Sequence, residues 1–128
     1  MPEELFFLDL KHVEEIHRRS LVEHGGAQGI ADPGGLESAV MQPRNVYHYL
    51  DGDLFEIAAA YAYHIAEAQA CLDGNKRTAV ACALVFLECN GVRTTGINPM
   101  HLYQPMIDIS AHHLDREGMA RRLRELFG

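Results

Sequence analysis

Along most of this chain the apolar residues recur every three or four positions, the period of a helix with one buried face. Leu10, Val13, Ile16, Leu21 and Val22 mark a first helix, with Glu and Arg between them and Gly25-Gly26 as its stop. Residues 28–35, rich in Gly, Asp and Pro, read as a loop, and residues 35–41 as a short helix that ends before Pro43. The next stretch breaks the period. Val46, Tyr47, His48 and Tyr49 favour strands and lead into Asp51-Gly52-Asp53, which predicts a small hairpin or extended flap near residues 45–51. Leu54, Ala58, Tyr61, Ile65, Ala68 and Leu72 then step by four and three, predicting one long helix over residues 53–72.

Residues 78–89 differ in kind. Ten of these twelve are apolar, so the segment predicts a helix buried on every side, closed by Asn90-Gly91. Residues 92–97 form a short extended connection. Asn98-Pro99, a cap followed by proline at the first helical position, opens another helix that kinks or restarts at Pro105 and runs to about residue 112. The last helix, residues 115–127, again opens on an acidic cap. No repeat, linker or alternating strand–helix pattern interrupts this series. The prediction is therefore all-α, a single-domain bundle over residues 1–128 around a buried central helix.

Composition narrows the function classes. The 128 residues, 48% hydrophobic and 23% charged, fit one globular domain. Eleven Lys and Arg against eighteen Asp and Glu give a net charge of −7, the wrong sign for a phosphate backbone, so nucleic acid is not expected as a partner. The basic cluster Arg121, Arg122 and Arg124 falls in the last turns of the final helix, where cations complement the dipole. Cys71, Cys82 and Cys89 are odd in number with no close pair, which fits neither a disulfide framework nor a zinc knuckle and points to reducing cytoplasm. No pair of histidines stands with a carboxylate in a zinc-ligand pattern. The start Met1-Pro2-Glu3-Glu4 is acidic where a signal peptide is basic, and no apolar run reaches the roughly 18 residues of a membrane span. Neither export nor membrane insertion is expected.

The chemistry gathers at Asp73-Gly74-Asn75-Lys76-Arg77, between the long helix and the most apolar one. The first amides of a helix are unsatisfied donors and make an anion site. Gly74 permits a positive φ, and Asn75 is placed to cap the helix. Lys76 and Arg77 add cations in a turn where the dipole disfavours them, a conflict that a bound phosphate resolves. Asp73 is a hard oxygen donor of the kind that holds Mg²⁺ together with nucleotide phosphates. The same residues also read as an ordinary turn and cap, and spacing alone leaves both readings open.

The segment from Tyr63 to Gly91, with Asp73-Gly74-Asn75-Lys76-Arg77-Thr78-Ala79 at its centre and Leu84-Val85-Phe86-Leu87 before Asn90-Gly91, resembles the Fic/Doc family, specifically its death-on-curing branch. Upstream, Gly29-Ile30, Asp32-Pro33-Gly34, Leu36-Glu37-Ser38-Ala39 and Pro43 resemble the same branch, so the likeness covers most of the chain. It implies an all-α fold and transfer of a phosphate-containing group from a nucleotide to a protein hydroxyl. It further implies ATP as substrate, Mg²⁺ on Asp73, phosphates on Gly74, Asn75, Lys76 and Arg77, and a target-docking flap containing Val46, Tyr47 and His48. Lys76 in place of glycine points to the kinase-like branch, and the second arginine of adenylylating members falls on Val80. A protein substrate and a small antitoxin, whose disordered segment folds as a helix into a groove, are the implied partners.

One departure stands at the front of the motif. The family's histidine falls on Gln69 and its phenylalanine on Cys71. A glutamine amide orients a hydroxyl but cannot take its proton near neutral pH. His64, five residues away, sits about 140° around the helix from Gln69. His48, in the expected flap, is the other candidate to approach the site, whereas His12, His17, His24, His112 and His113 read as exposed or structural. Cys71 reads either as a thiol activated by the cationic helix start or as a small core residue in place of phenylalanine. Cys82 and Cys89 read as packing. Two functional classes follow: a phosphotransferase altered by Gln69, or a pseudoenzyme that binds nucleotide or a partner and modifies nothing.

Overall fold

The computed structural model describes residues 4–98 and 100–128, so the predicted acidic leader at Met1–Glu3 and the proline at position 99 lie outside the described residues. Six helices make up the described chain: α1 (Leu10–His24), α2 (Pro33–Leu50), α3 (Leu54–Ala68), α4 (Asn75–Cys89), α5 (Met100–Ser110) and α6 (Arg116–Phe127). Aspartates open four of them. Asp9 and Asp53 form reciprocal capping boxes with His12 and Glu56, while Asp32 and Asp115 accept from the amides of Gly35 and Gly118. No helix among the described residues is long and apolar enough to cross a membrane.

The all-α expectation holds, but the centre of the bundle is α3 rather than α4. Helices α2, α4, α5 and α6 all pack on α3, whose residues Ile57 to Ala62 are fully buried. Four of those six are alanines, and small side chains let neighbouring helices approach closely. Helix α4 buries one side only. Val80, Ala81, Leu84 and Val85 are half-covered and line clefts on either flank.

Three predicted boundaries move. There is no hairpin or flap at residues 45–51: α2 runs unbroken through Pro43 to Leu50 and carries Val46, Tyr47 and His48 within it. Its stripe Leu36, Ala39, Val40, Pro43 and Val46 is buried at helical spacing, and that burial outweighs the hydrogen bond lost at proline. Helix α3 stops at Ala68 because Gln69 turns left-handed (φ 45°, ψ 40°), so Leu72 does not extend it. Pro105 likewise sits inside α5 without ending it.

Ahead of α1, the chain is pinned by side chains. The Tyr61 hydroxyl accepts from Leu8 N–H at 2.8 Å and donates to its carbonyl at 3.0 Å, with both residues buried. Asn90, at the end of α4, bonds both backbone groups of Phe6 at 2.9 Å. One polar residue on each of α3 and α4 thus fixes the approach to α1, which floors the candidate site.

Candidate functional site

Left-handed backbone at Gln69 sends the chain sharply out of α3, and a second left-handed residue, Gly74 (φ 76°), sends it into α4. Between them residues 70–72 run extended beside residues 29–32. Leu72 N–H donates to Gly29 O at 3.1 Å, Ala31 N–H donates to Ala70 O at 2.8 Å, and Ile30 faces Cys71 in an antiparallel bridge. The extended segment against the motif is therefore 29–32, not 45–51.

Gly74 caps α4 without a side chain. Asn75 does not cap the helix as expected; its amide reaches back to Cys71, accepting from N–H at 3.0 Å and donating to the carbonyl at 2.9 Å. The first-turn amides of α4 are left facing outward with no capping acceptor, in the state that binds anions. Lys76 and Arg77 are exposed on this turn, and Arg77 donates to Gly25 O at 3.3 Å.

Asp73 lies exposed at the lip. Its Oδ1 accepts from Gly74 N–H at 2.9 Å and its Oδ2 from Ala27 N–H at 3.3 Å. One exposed carboxylate beside an uncapped helix start is a donor set that would suit Mg²⁺ if phosphate and water supplied its remaining oxygens. The structure therefore brings Asp73, Gly74, Lys76 and Arg77 to one turn, with Asn75 bracing it from behind.

Two clefts flank α4. One, of about 350 Å³ between α4 and α5, has Lys76 and Arg77 at its mouth and Val80, Leu84, Leu102 and Tyr103 among its walls. The other, of about 610 Å³ between α1 and α4, includes Phe6, Ile16, Leu84 and Val85, with Glu15, Arg19 and Glu23 among its polar lining.

Gln69 is exposed at the head of this turn. None of the other histidines proposed for a proton-accepting role replaces the family residue there. His64 packs toward α6, 3.4 Å from Arg116, where burial and then the neighbouring guanidinium hold its pKa down to about 4. His48 stacks with Phe7, which packs on Phe86, eleven residues and about 16 Å along α4 from the motif. Burial pushes the Cys71 thiol up, which suits the core reading rather than an activated nucleophile. Cys82 is wholly buried, whereas Cys89 is exposed rather than packed.

Sequence reasoning passed over two partners of the site. His17, only 3% exposed, sets Nε2 against the Asp73 carbonyl at 2.8 Å. The signal was its place on the buried α1 stripe Val13, His17, Ser20 and Leu21. Residues 25–27 are the other: Gly25 O and Ala27 N–H meet Arg77 and Asp73.

A sequence profile described as the Fic/DOC family matches residues 7–87. Over 129 aligned positions the chain is 33% identical to "Protein kinase doc" of Escherichia phage P1, covering 99% of this chain and 94% of that protein. It is 37% identical over 82 residues to "Toxin Doc" of Mycolicibacterium smegmatis, covering 62% of this chain and 63% of that one.

Proposed function

Since the chain belongs to the Fic/DOC family, we propose that it is a Doc-like toxin component built for phosphate-group transfer from ATP to a protein hydroxyl. The observation that carries this reading is the open start of α4, where no side chain caps the first amides and the exposed Lys76 and Arg77 follow closely on the exposed Asp73 carboxylate. The similarity to a relative named as a protein kinase and another named as a toxin supports it.

In this reading the amides after Gly74, with Lys76 and Arg77, hold the phosphates by charge and hydrogen bonding, and Asp73 holds Mg²⁺, which neutralises developing phosphate charge when bound. The apolar cleft between α4 and α5 receives the base, because both motif cations stand at its mouth. A target chain lying extended beside the motif aligns with residues 29–32. An antitoxin segment folding as an amphipathic helix suits the larger α1–α4 cleft.

Transfer joins the target hydroxyl oxygen to the γ-phosphorus and releases ADP, and the hydroxyl proton must go elsewhere. Gln69 Oε1 can accept a hydrogen bond from that hydroxyl but not its proton. Loss of a general base typically costs about 10²–10⁴ in rate, while phosphoryl transfer rests mainly on positioning and charge. The bare Gln69 position favours a second reading, a pseudoenzyme that retains nucleotide binding.

Label transfer from γ- and α-labelled ATP with Mg²⁺ onto cell-extract proteins separates the two. The native chain, Gln69→His and Arg77→Ala are compared. A native kinase passes γ-label and loses it with Arg77→Ala; label from Gln69→His alone identifies a disarmed enzyme. No label from any variant, with ATP still bound, supports the pseudoenzyme, whereas α-label overturns the kinase assignment in favour of nucleotidyl transfer.

A further inference from the structure

A backbone carbonyl only accepts hydrogen bonds, so the 2.8 Å contact between His17 Nε2 and Asp73 O requires the proton to reside on Nε2. That nitrogen has no lone pair free, so the ring edge that faces the motif does not substitute for the missing base. What it does instead follows from where it sits. His17 lies buried on α1 beneath the motif turn, and a Cβ placed on Gly74 would meet Leu21 Cδ2 at 3.3 Å and His17 Cδ2 at 3.8 Å. The α1 face thus touches Gly74 from below while holding the carbonyl of the residue before it.

Asp73 is oriented by three donors on three segments. His17 holds its carbonyl, Gly74 N–H its Oδ1 and Ala27 N–H its Oδ2. The two amides are backbone groups of the half-buried cap residue Gly74 and of the exposed loop residue Ala27, whereas His17 is a side chain of a fifteen-residue helix packed on α4. Of these three donors to Asp73, His17 is the one that comes from a buried side chain. We propose that His17 is a positioning residue: through the Asp73 carbonyl it fixes the peptide between Asp73 and Gly74, and with it the direction in which the Asp73 carboxylate is offered to a phosphate-bound metal ion.

This inference rests on the proposed nucleotide reading, and it separates His17 from residues that bind phosphate directly. Loss of the anchor leaves the amides of α4, Lys76 and Arg77 in place, so anion binding survives. The metal-dependent component is what suffers.

The test compares the full-length chain with His17→Leu, His17→Gln and Arg77→Ala. Leucine fills the buried space without a donor, and glutamine restores an N–H near the Nε2 position. Calorimetric titration with ATP is run in Mg²⁺ and again in EDTA, alongside amide hydrogen exchange at Cys71, Leu72 and Gly74. In His17→Leu we expect affinity in Mg²⁺ to fall by about 2- to 10-fold, the range of one net hydrogen bond, with affinity in EDTA unchanged. Exchange at the three amides speeds up while that of α3 does not, and His17→Gln recovers both. Arg77→Ala loses affinity under either condition. Equal losses in Mg²⁺ and EDTA for His17→Leu, or no rescue by glutamine, overturn the proposal. If the native chain binds no ATP at all, the nucleotide reading fails by itself. Exchange then decides: unchanged rates in His17→Leu refute the anchor, and faster rates rescued by glutamine uphold it.

Discussion

Replacing Gly26 by alanine should disable the Asp73 carboxylate without touching the phosphate cradle. Gly26 has φ +123°, and a Cβ there would stand 2.8 Å from Asp73 Oδ2 and 2.9 Å from Leu21 Cδ2. Ordinary contact begins at 3.4 Å, so the carboxylate must retreat by about 0.6 Å, which strains the 3.3 Å hydrogen bond from Ala27. A hydrogen bond to a charged group is worth about 1.5–3 kcal/mol, and about 1.4 kcal/mol is tenfold in a dissociation constant. We therefore expect Gly26→Ala to weaken ATP binding about tenfold in Mg²⁺ and hardly at all in EDTA. Positive φ alone costs alanine about 1–3 kcal/mol, so a control must carry that strain without the collision. Gly25 provides it, with φ +83° and nothing within 4 Å of where an alanine Cβ would stand. Both variants should lose several degrees in Tm, and only Gly26→Ala should lose Mg²⁺-dependent affinity in calorimetry. If the two lose it equally, the contact with Asp73 is irrelevant and the reasoning fails.

Tyr61→Phe should cost about 2–4 kcal/mol in denaturant unfolding, because both backbone groups of buried Leu8 lose their partner; a loss under about 1 kcal/mol would show that Tyr61 does not pin the N-terminal segment. His64 sets a pH dependence. Its folded pKa is about 4 against 6.5 when unfolded, first through burial and then through Arg116. Below pH 6.5 the unfolded chain binds a proton that the folded chain refuses, so stability is full above 6.5 and declines as pH falls toward 4. The decline amounts to at most about 3 kcal/mol, since solvent reaches part of the ring. Tm measured from pH 4 to 7 should flatten in His64→Gln, and an unchanged slope would assign it to other groups.

How legible the fold was depended on which force decided each segment. Helices α1 and α6 were readable because their local cues agree, as at Asp115, which accepts from Gly118 N–H at 2.7 Å. Around Pro43 they disagree. Proline and the β-favouring residues after it argue for a break, yet Leu36, Ala39, Val40, Pro43 and Val46 keep helical spacing and all are buried. Local propensity there costs tenths of a kcal/mol at each β-favouring residue and about 3 kcal/mol at the proline, and packing against α3 outweighs both. The reverse happened at the end of α3. Leu72 extends the stripe by one step, but Gln69 leaves the helix in left-handed backbone and Leu72 stands 60% exposed.

The motif itself could be read because it is contiguous: residues 73–77 need only a helix start to stand together. Its support could not, because it comes from α1 and from residues 25–27, some fifty residues earlier in the chain. A histidine on an apolar stripe carries no mark of the carbonyl it will meet, and Gly25-Gly26 read simply as a helix stop. Yet the stop and the support are one device. Positive φ at Gly25 and Gly26 turns the chain back over α4, placing Gly25 O against Arg77 and Ala27 N–H against Asp73. The turn is thus held between a buried side chain and an exposed loop. A ligand that takes Arg77 must displace its 3.3 Å contact with Gly25 O, while the 2.8 Å bond from His17 and the Ala27 amide on Asp73 stay in place. Binding then needs no rearrangement of the core, only release of one weak contact at the surface.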